Sequence, residues 1–212
     1  MAYLFTAASS QYMVGNSAPV TAEPITMAGW FRPRVNVASA QYIACIGASA
    51  NNSHLRIGPD TAGVRAQRLD TVGGNFMATS SGSVTAGTWF HICGTFDASA
   101  NIVAYYNGVA GASVAASNPL SLNRTVIGAR MASGALAFFA DGDIAEVGMW
   151  NAVLTADEIA ALAKGYKCSD IRPQSLRFDL RMIRDLQDRR GGILMTNTNG
   201  ATVSSHPRII YP

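Results

Sequence analysis

Residues 141–165 read DGDIAEVGMWNAVLTADEIAALAKG, and this stretch decides the fold class. From Asp143 to Trp150 the side chains alternate. Ala145, Val147 and Met149 fall on one side, Ile144, Glu146, Gly148 and Trp150 on the other, the period of two that a pleated strand requires. A short helix is spelled out behind it. Thr155 stands at the N-cap and Glu158 three residues on, so each can satisfy an orphan amide in a capping box. Asp157 and Glu158 lie in the positive first turn, Ile159 and Leu162 form an apolar edge, and Lys164 sits at the negative end. Gly165 can close the helix in the left-handed region. The expected helix runs over 156–164.

Working outward, apolar alternation and turn chemistry place strands at 3–5, 11–14, 25–32, 41–46, 54–57, 64–69, 75–79, 88–96, 102–106, 109–114, 125–129, 136–139 and 143–150. Asn107-Gly108 between two of them is a strong type I′ hairpin signal, because both residues tolerate positive φ. Gly73-Gly74 is a weaker one, and residues 97–101 form a loop of hairpin length. Hairpins without alternating helices argue for an antiparallel sandwich and against a parallel α/β sheet. After Gly165 the chain changes character. Leu176, Phe178, Leu180 and Met182 alternate with Arg177, Asp179 and Arg181, the segment 193–195 reads as a strand, and 197–200 as a turn. The expected organisation is a sandwich over 1–165 and a basic extension over 166–212 whose short strands pack on the same body.

The bulk numbers narrow the function. Charged residues make up 14% of the 212-residue chain, against roughly 25% in ordinary soluble domains. Such a neutral surface suits a protein packed against copies of itself. Residues 1–163 carry 7 Lys and Arg against 9 Asp and Glu, whereas residues 164–212 carry 9 against 4. In that basic quarter Arg177, Arg181 and Arg184 interleave with Asp179, Asp185 and Asp188, so an ion-paired face is expected rather than a nucleic-acid tail. No apolar run reaches the length of a membrane span, and the first residues lack the pattern of a secretory signal. Cys45, Cys93 and Cys168 are too few for a disulfide framework. Free thiols are expected, with a single Cys45–Cys93 bridge as the alternative, and without CxxC pairs no zinc motif is present.

Three segments together resemble the laminin G-like, concanavalin A-type jelly roll. They are Ile25-Thr26-Met27-Ala28-Gly29-Trp30-Phe31; Gly87-Thr88-Trp89-Phe90-His91 through Tyr105-Tyr106-Asn107-Gly108-Val109; and Gly142-Asp143-Ile144-Ala145-Glu146-Val147 with Leu154-Thr155-Ala156-Asp157-Glu158-Ile159. Ala145 stands where many members carry Asp. The tail pattern, with Arg184-Asp185, Gly191-Gly192, Gly200-Ala201-Thr202 and His206-Pro207, resembles tails on phage and prophage members. The resemblance implies an all-β, two-sheet antiparallel sandwich with one short helix, binding glycans or proteins and without catalysis. Calcium, held by oxygens such as those of Asp97, Asp141 and Asp143, is what members often add. Trp30, Trp89 and Trp150 fall at positions the family packs into its core.

One catalytic pattern competes. Asp141-x-Asp143-x-x-Glu146 is similar to the Glu-x-Asp-x-x-Glu of jelly-roll glucanases, whose retaining chemistry needs two carboxyls about 5–5.5 Å apart. Here the first position is one methylene short, and Gly142 replaces the usual aliphatic. His54, His91 and His206 are scattered, and neither a nucleophilic triad nor a phosphate-binding fingerprint is present. The expectation is therefore a non-enzymatic protein with no catalytic, cofactor-binding or metal residues. The leading reading is a virion structural component, a capsid decoration or a tail or fibre part. Its partners would be other virion proteins, copies of itself or surface polysaccharide, and it would be assembled in the host cytoplasm. The rival reading is a stand-alone lectin-like module.

Overall fold

The computed structural model describes residues 1–97, 101–116, 120–183 and 185–210; the middle of the 97–101 loop and Arg184 lie outside them. In chain order the strands are β1 (Ala2–Phe5), β2 (Tyr12–Gly15), β3 (Ile25–Pro33), β4 (Ala44–Gly47), β5 (His54–Asp60) and β6 (Gly63–Leu69). Next come β7 (Asn75–Ser81), β8 (Phe90–Phe96), β9 (Asn101–Tyr106), β10 (Val109–Ala110), β11 (Val114–Ala115) and β12 (Arg124–Ile127). The last are β13 (Arg130–Ala132), β14 (Ala135–Ala137), β15 (Gly142–Trp150), β16 (Leu176–Leu180), β17 (Thr196–Thr198) and β18 (Thr202–Ser204). A single α-helix among the described residues, α1 (Ala156–Ala163), follows β15.

Two antiparallel sheets face each other. The first runs β10-β9-β8-β3-β15-β1-β18, with β11 also on β9 and β16 also on β15. The second runs β17-β2-β12-β4-β5-β6-β7, and β13 and β14 form a separate hairpin. This is the expected two-sheet sandwich. The tail strands β16, β17 and β18 pair with β15, β2 and β1, so the C-terminal extension adds to both sheets.

Alternate residues of facing strands make the core. Met27 and Phe31 on β3, Ile92 and Phe96 on β8, and Ile144 and Met149 on β15 meet Ile46 on β4 and Leu55 and Ile57 on β5, all fully buried. Gly94 lies where the two sheets pack tightly. A Cβ there would stand 2.6 Å from Ile57 Cγ2 and 2.8 Å from Ala66 Cβ, so only bare backbone lets the sheets close over it.

The outer face of the first sheet is covered as well. Ala28, Cys93 and Trp150 pack beneath Leu154, Ile159 and Leu162 of the helical segment and beneath Cys168, Ile171 and Leu176. The Trp150 indole N–H donates to the Ile171 carbonyl at 2.9 Å, which keeps a buried donor satisfied. Both capping-box bonds of α1 are present. Glu158 N–H donates to Thr155 Oγ1 at 3.3 Å and Thr155 N–H to Glu158 Oε2 at 2.7 Å.

Three sequence expectations shift. The alternation along β15 breaks at a bulge, where the register against β3 jumps between Ala145 and Gly148 and Glu146 takes φ +50°. One inserted residue re-phases the strand, so Ile144 joins Val147 and Met149 in the core. In the tail, 193–195 contributes only an isolated bridge, Gln187 with Leu194, and the strand lies at Thr196–Thr198 because it pairs with β2. The turn moves to Asn199 and Gly200, both at positive φ. Of the three tryptophans only Trp150 is fully buried; Trp30 and Trp89 are half-buried. The hairpin at Asn107-Gly108 is as expected, with both φ values positive.

Candidate functional site

The acidic stretch is taken apart by the fold. Asp141 pairs with Arg34 at 3.5 Å, and Asp143 receives the Arg32 Nε–H at 2.9 Å. Glu146, only 4% exposed, instead meets His206 Nε2 at 3.2 Å. Each carboxylate thus has its own partner. Calcium fits this arrangement poorly, because it wants six or more oxygens and two of the three candidate aspartates are spent on guanidinium groups. Asp97 follows β8, which leaves the sheet beside Ile25, whereas Asp141 enters β15 beside Pro33. These are opposite ends of β3, so the third aspartate does not meet the other two.

An open concavity lies elsewhere. A cleft of about 580 Å³ lies between the segment after β2, with Ser17, Ala18 and Pro19, and the C-terminal extension, with Gln174, Arg177, Arg190 and Ile193. Asp188 shapes the extension's side. Its Oδ1 accepts the Asp179 and Arg190 amides at 2.7 and 2.9 Å, and its Oδ2 accepts the Gly191 amide at 2.7 Å. Three backbone donors on one buried carboxylate fix the tight turn that lifts Arg190 to the cleft. Arg177 donates to the Gln174 carbonyl at 3.0 Å and Arg190 to the Pro173 carbonyl. Both partners are neutral, neither arginine joins an ion pair among the described residues, and no acidic side chain lines the cleft. Two exposed guanidinium groups therefore project uncompensated charge into a ligand-sized hollow.

The second sheet's outer face carries a different arginine cluster. Arg56 lies 4.1 Å over the Tyr42 ring and 5.7 Å from that of Phe138, and Arg130 lies 5.0 Å from Phe138. Tyr42 Oη–H and Arg56 Nε–H both donate to Gln67 Oε1, at 2.7 and 3.0 Å. Arg56 is 6% exposed, so this stack is chiefly internal packing. His54 beside it has its pKa lowered to about 3, by burial first and the Arg56 charge second.

A third constellation is buried on the first sheet's outer face. Glu146, Cys168 and Asp179 bring donor atoms within 4.8 Å of one another. Cys168 sits over Gly148, where an added Cβ would fall 2.7 Å from its sulfur. Asp179 lies opposite Gly148 on β16, and Arg181 directs Nε–H and Nη2–H at its Oδ2, at 3.0 and 2.9 Å. Sequence reasoning missed this grouping because Glu146, Cys168 and Asp179 come from three separate segments. Only the fold superimposes them. All three cysteines are free and buried, which removes the Cys45–Cys93 alternative.

The fold and these surfaces can be set against known proteins. The family described as the concanavalin A-like lectin/glucanases superfamily, of laminin G type, matches residues 7–160. The chain belongs to this superfamily. The match ends inside α1, so the extension that walls the cleft lies beyond it. No curated protein sequence matches the chain. Among solved structures, a heptameric SAP-like pentraxin from Limulus polyphemus aligns at TM-score 0.65 and 15% identity, covering 91% of this chain and 87% of that one. The CBM40 of a Ruminococcus gnavus IT-sialidase, bound to α2,3-sialyllactose, aligns at TM-score 0.59 and 15% identity, covering 70% and 91%. The receptor-binding domain of botulinum neurotoxin type G aligns at 0.53 and 13%, covering 72% and 42%. At these identities the likeness is one of fold. No helix among the described residues is long and apolar enough to cross a membrane.

Proposed function

We propose that this protein is a non-enzymatic, lectin-like binding module that takes an acidic glycan in the cleft between Pro19 and Arg190. The observation that carries the reading is the pair Arg177 and Arg190, held by neutral carbonyls in a hollow without an acidic wall. A guanidinium fork matches a carboxylate or sulfate bidentately, and such charge-assisted bonds are about twice as strong as neutral ones. The sialyllactose complex of the fold-related sialidase module gives the carbohydrate class its support. Absence of catalysis rests on Asp141, Asp143 and Glu146, each engaged by a basic partner. The test is a glycan array probed with the wild type and Arg177→Gln/Arg190→Gln. Hits confined to carboxylated or sulfated glycans and lost in the variant support the reading. No hits, or neutral hits unchanged by the variant, refute it. Reducing-sugar release from β-glucans that Glu146→Gln abolishes would refute the non-enzymatic half.

The second reading places the module on a phage or virus particle. Its support is a 14% charged composition together with three buried free thiols, which suits assembly in a reducing cytoplasm. The two readings are compatible, since a particle surface is one place for a glycan-binding jelly roll. Particles that lack the protein and yet keep their stability, infectivity and adsorption would rule it out.

A further inference from the structure

We propose that Glu146, Cys168 and Asp179 form a binding site for one divalent d-block cation, best fitted by zinc, that fastens the C-terminal extension to the sandwich. Three segments contribute. Glu146 comes from the bulge of β15, Cys168 from the turn after α1 and Asp179 from β16. Cys168, Asp179 and Glu146 are 3%, 1% and 4% exposed.

The donor atoms are orphaned in a way that asks for a cation. Glu146 Oε2 and Asp179 Oδ1 are both buried without a hydrogen-bond partner. Arg181 spends both of its donors on the other oxygen of Asp179, leaving Oδ1 bare. Glu146 Oε1 is the oxygen that meets His206 Nε2, at 3.2 Å, so Oε2 is the one left bare. Burying unpaired carboxylate oxygens is costly unless a cation meets them.

The donor set selects the ion. A thiolate and two carboxylates, with water in the fourth position, suit zinc, with bonds of about 2.0–2.3 Å and four-coordinate geometry. Calcium is excluded by the sulfur and by the small number of oxygens. On binding, the Cys168 proton leaves to solvent as the metal–sulfur bond forms. The three negative charges of Cys168, Glu146 and Asp179 are then met by the two of the cation and the one of Arg181. The supporting contacts of a metal centre are already in place. Asp179 is held by Arg181 and by the Arg189 amide on its own carbonyl at 3.0 Å.

The experiment uses the full chain, purified without chelator, stripped with EDTA and titrated with cobalt(II) and zinc(II). Expected are one equivalent of bound metal by elemental analysis and a cobalt–thiolate charge-transfer band displaced by zinc. Cys168→Ser should abolish the band, and Glu146→Gln should weaken zinc binding by about tenfold or more. A folded wild type that shows no thiolate band and less than a tenth of an equivalent of metal overturns the proposal. So does zinc binding that persists unchanged in both variants. Should Cys168→Ser fail to fold, the wild-type band and Glu146→Gln decide between these outcomes.

Discussion

Lowering the pH from 7 to 5 should destabilise this protein by about 2 kcal/mol through His91 alone. The ring sits on the outer face of the first sheet, 2% exposed, edge-on to Trp30 at 5.4 Å between centroids. Its Nδ1 has no hydrogen-bond partner. Burial holds its pKa down at about 3, whereas the unfolded chain protonates near 6.5. The folded value is the lower, so the contribution is fully present above pH 6.5 and is lost progressively as pH falls from 6.5 towards 3. At pH 5 the unfolded state has gained RT ln(1 + 10^1.5), about 2 kcal/mol, and the folded state almost nothing. Urea unfolding of the wild type and His91→Phe at pH 7 and pH 5 gives the comparison. The phenyl ring keeps the contact with Trp30 and removes the proton site. Glu23 and Asp179, whose pKa values burial raises, act in both proteins and cancel from the difference. The variant should lose about 2 kcal/mol less than the wild type between the two pH values. Equal losses would show that His91 is not a dry, neutral ring, and the covered outer face would have to be redrawn.

Other predictions address the frame. His54→Phe should relieve acid sensitivity by a similar amount, since burial and Arg56 hold its pKa at about 3 as well; matched urea curves check it. Thr155→Ala removes one bond of the capping box and should cost about 1 kcal/mol in denaturant unfolding. Gly94→Ala drives a methyl group to within 2.6 Å of Ile57 and 2.8 Å of Ala66 on the facing sheet. It should cost about 1–3 kcal/mol by overpacking, measured as a drop in thermal midpoint.

The frame was legible where local and tertiary signals agree. Asn107-Gly108 needs positive φ whatever surrounds it, and Thr155 with Glu158 closes its cap within four residues. The β15 bulge was not legible. A period of two runs through Glu146 on paper, and only the pairing with β3 reveals the extra residue. Thr196–Thr198 reads as part of a turn until β2 offers it a ladder. The tryptophans mislead in the same way, because alternation assigns a face without saying whether anything covers it. Trp150 is covered by Ile171 and α1, whereas Trp89 stands half open with Arg32 5.2 Å from its ring. The candidate surfaces were the least legible. Arg177 and Arg190 lie thirteen positions apart in a segment that reads as ion-paired, and Arg181 and Arg189 there do pair with Asp179 and Asp185. What separates them from Arg177 and Arg190 is the turn fixed by the buried Asp188, a tertiary fact.

The direct test is calorimetric titration of the wild type and Arg177→Gln/Arg190→Gln with the best acidic array ligand and with its carboxyl-reduced, neutral counterpart. The wild type should prefer the acidic form by tenfold or more, and the variant should bind both forms alike. A variant that still prefers the acidic ligand as strongly as the wild type would place recognition outside this cleft and contradict the account.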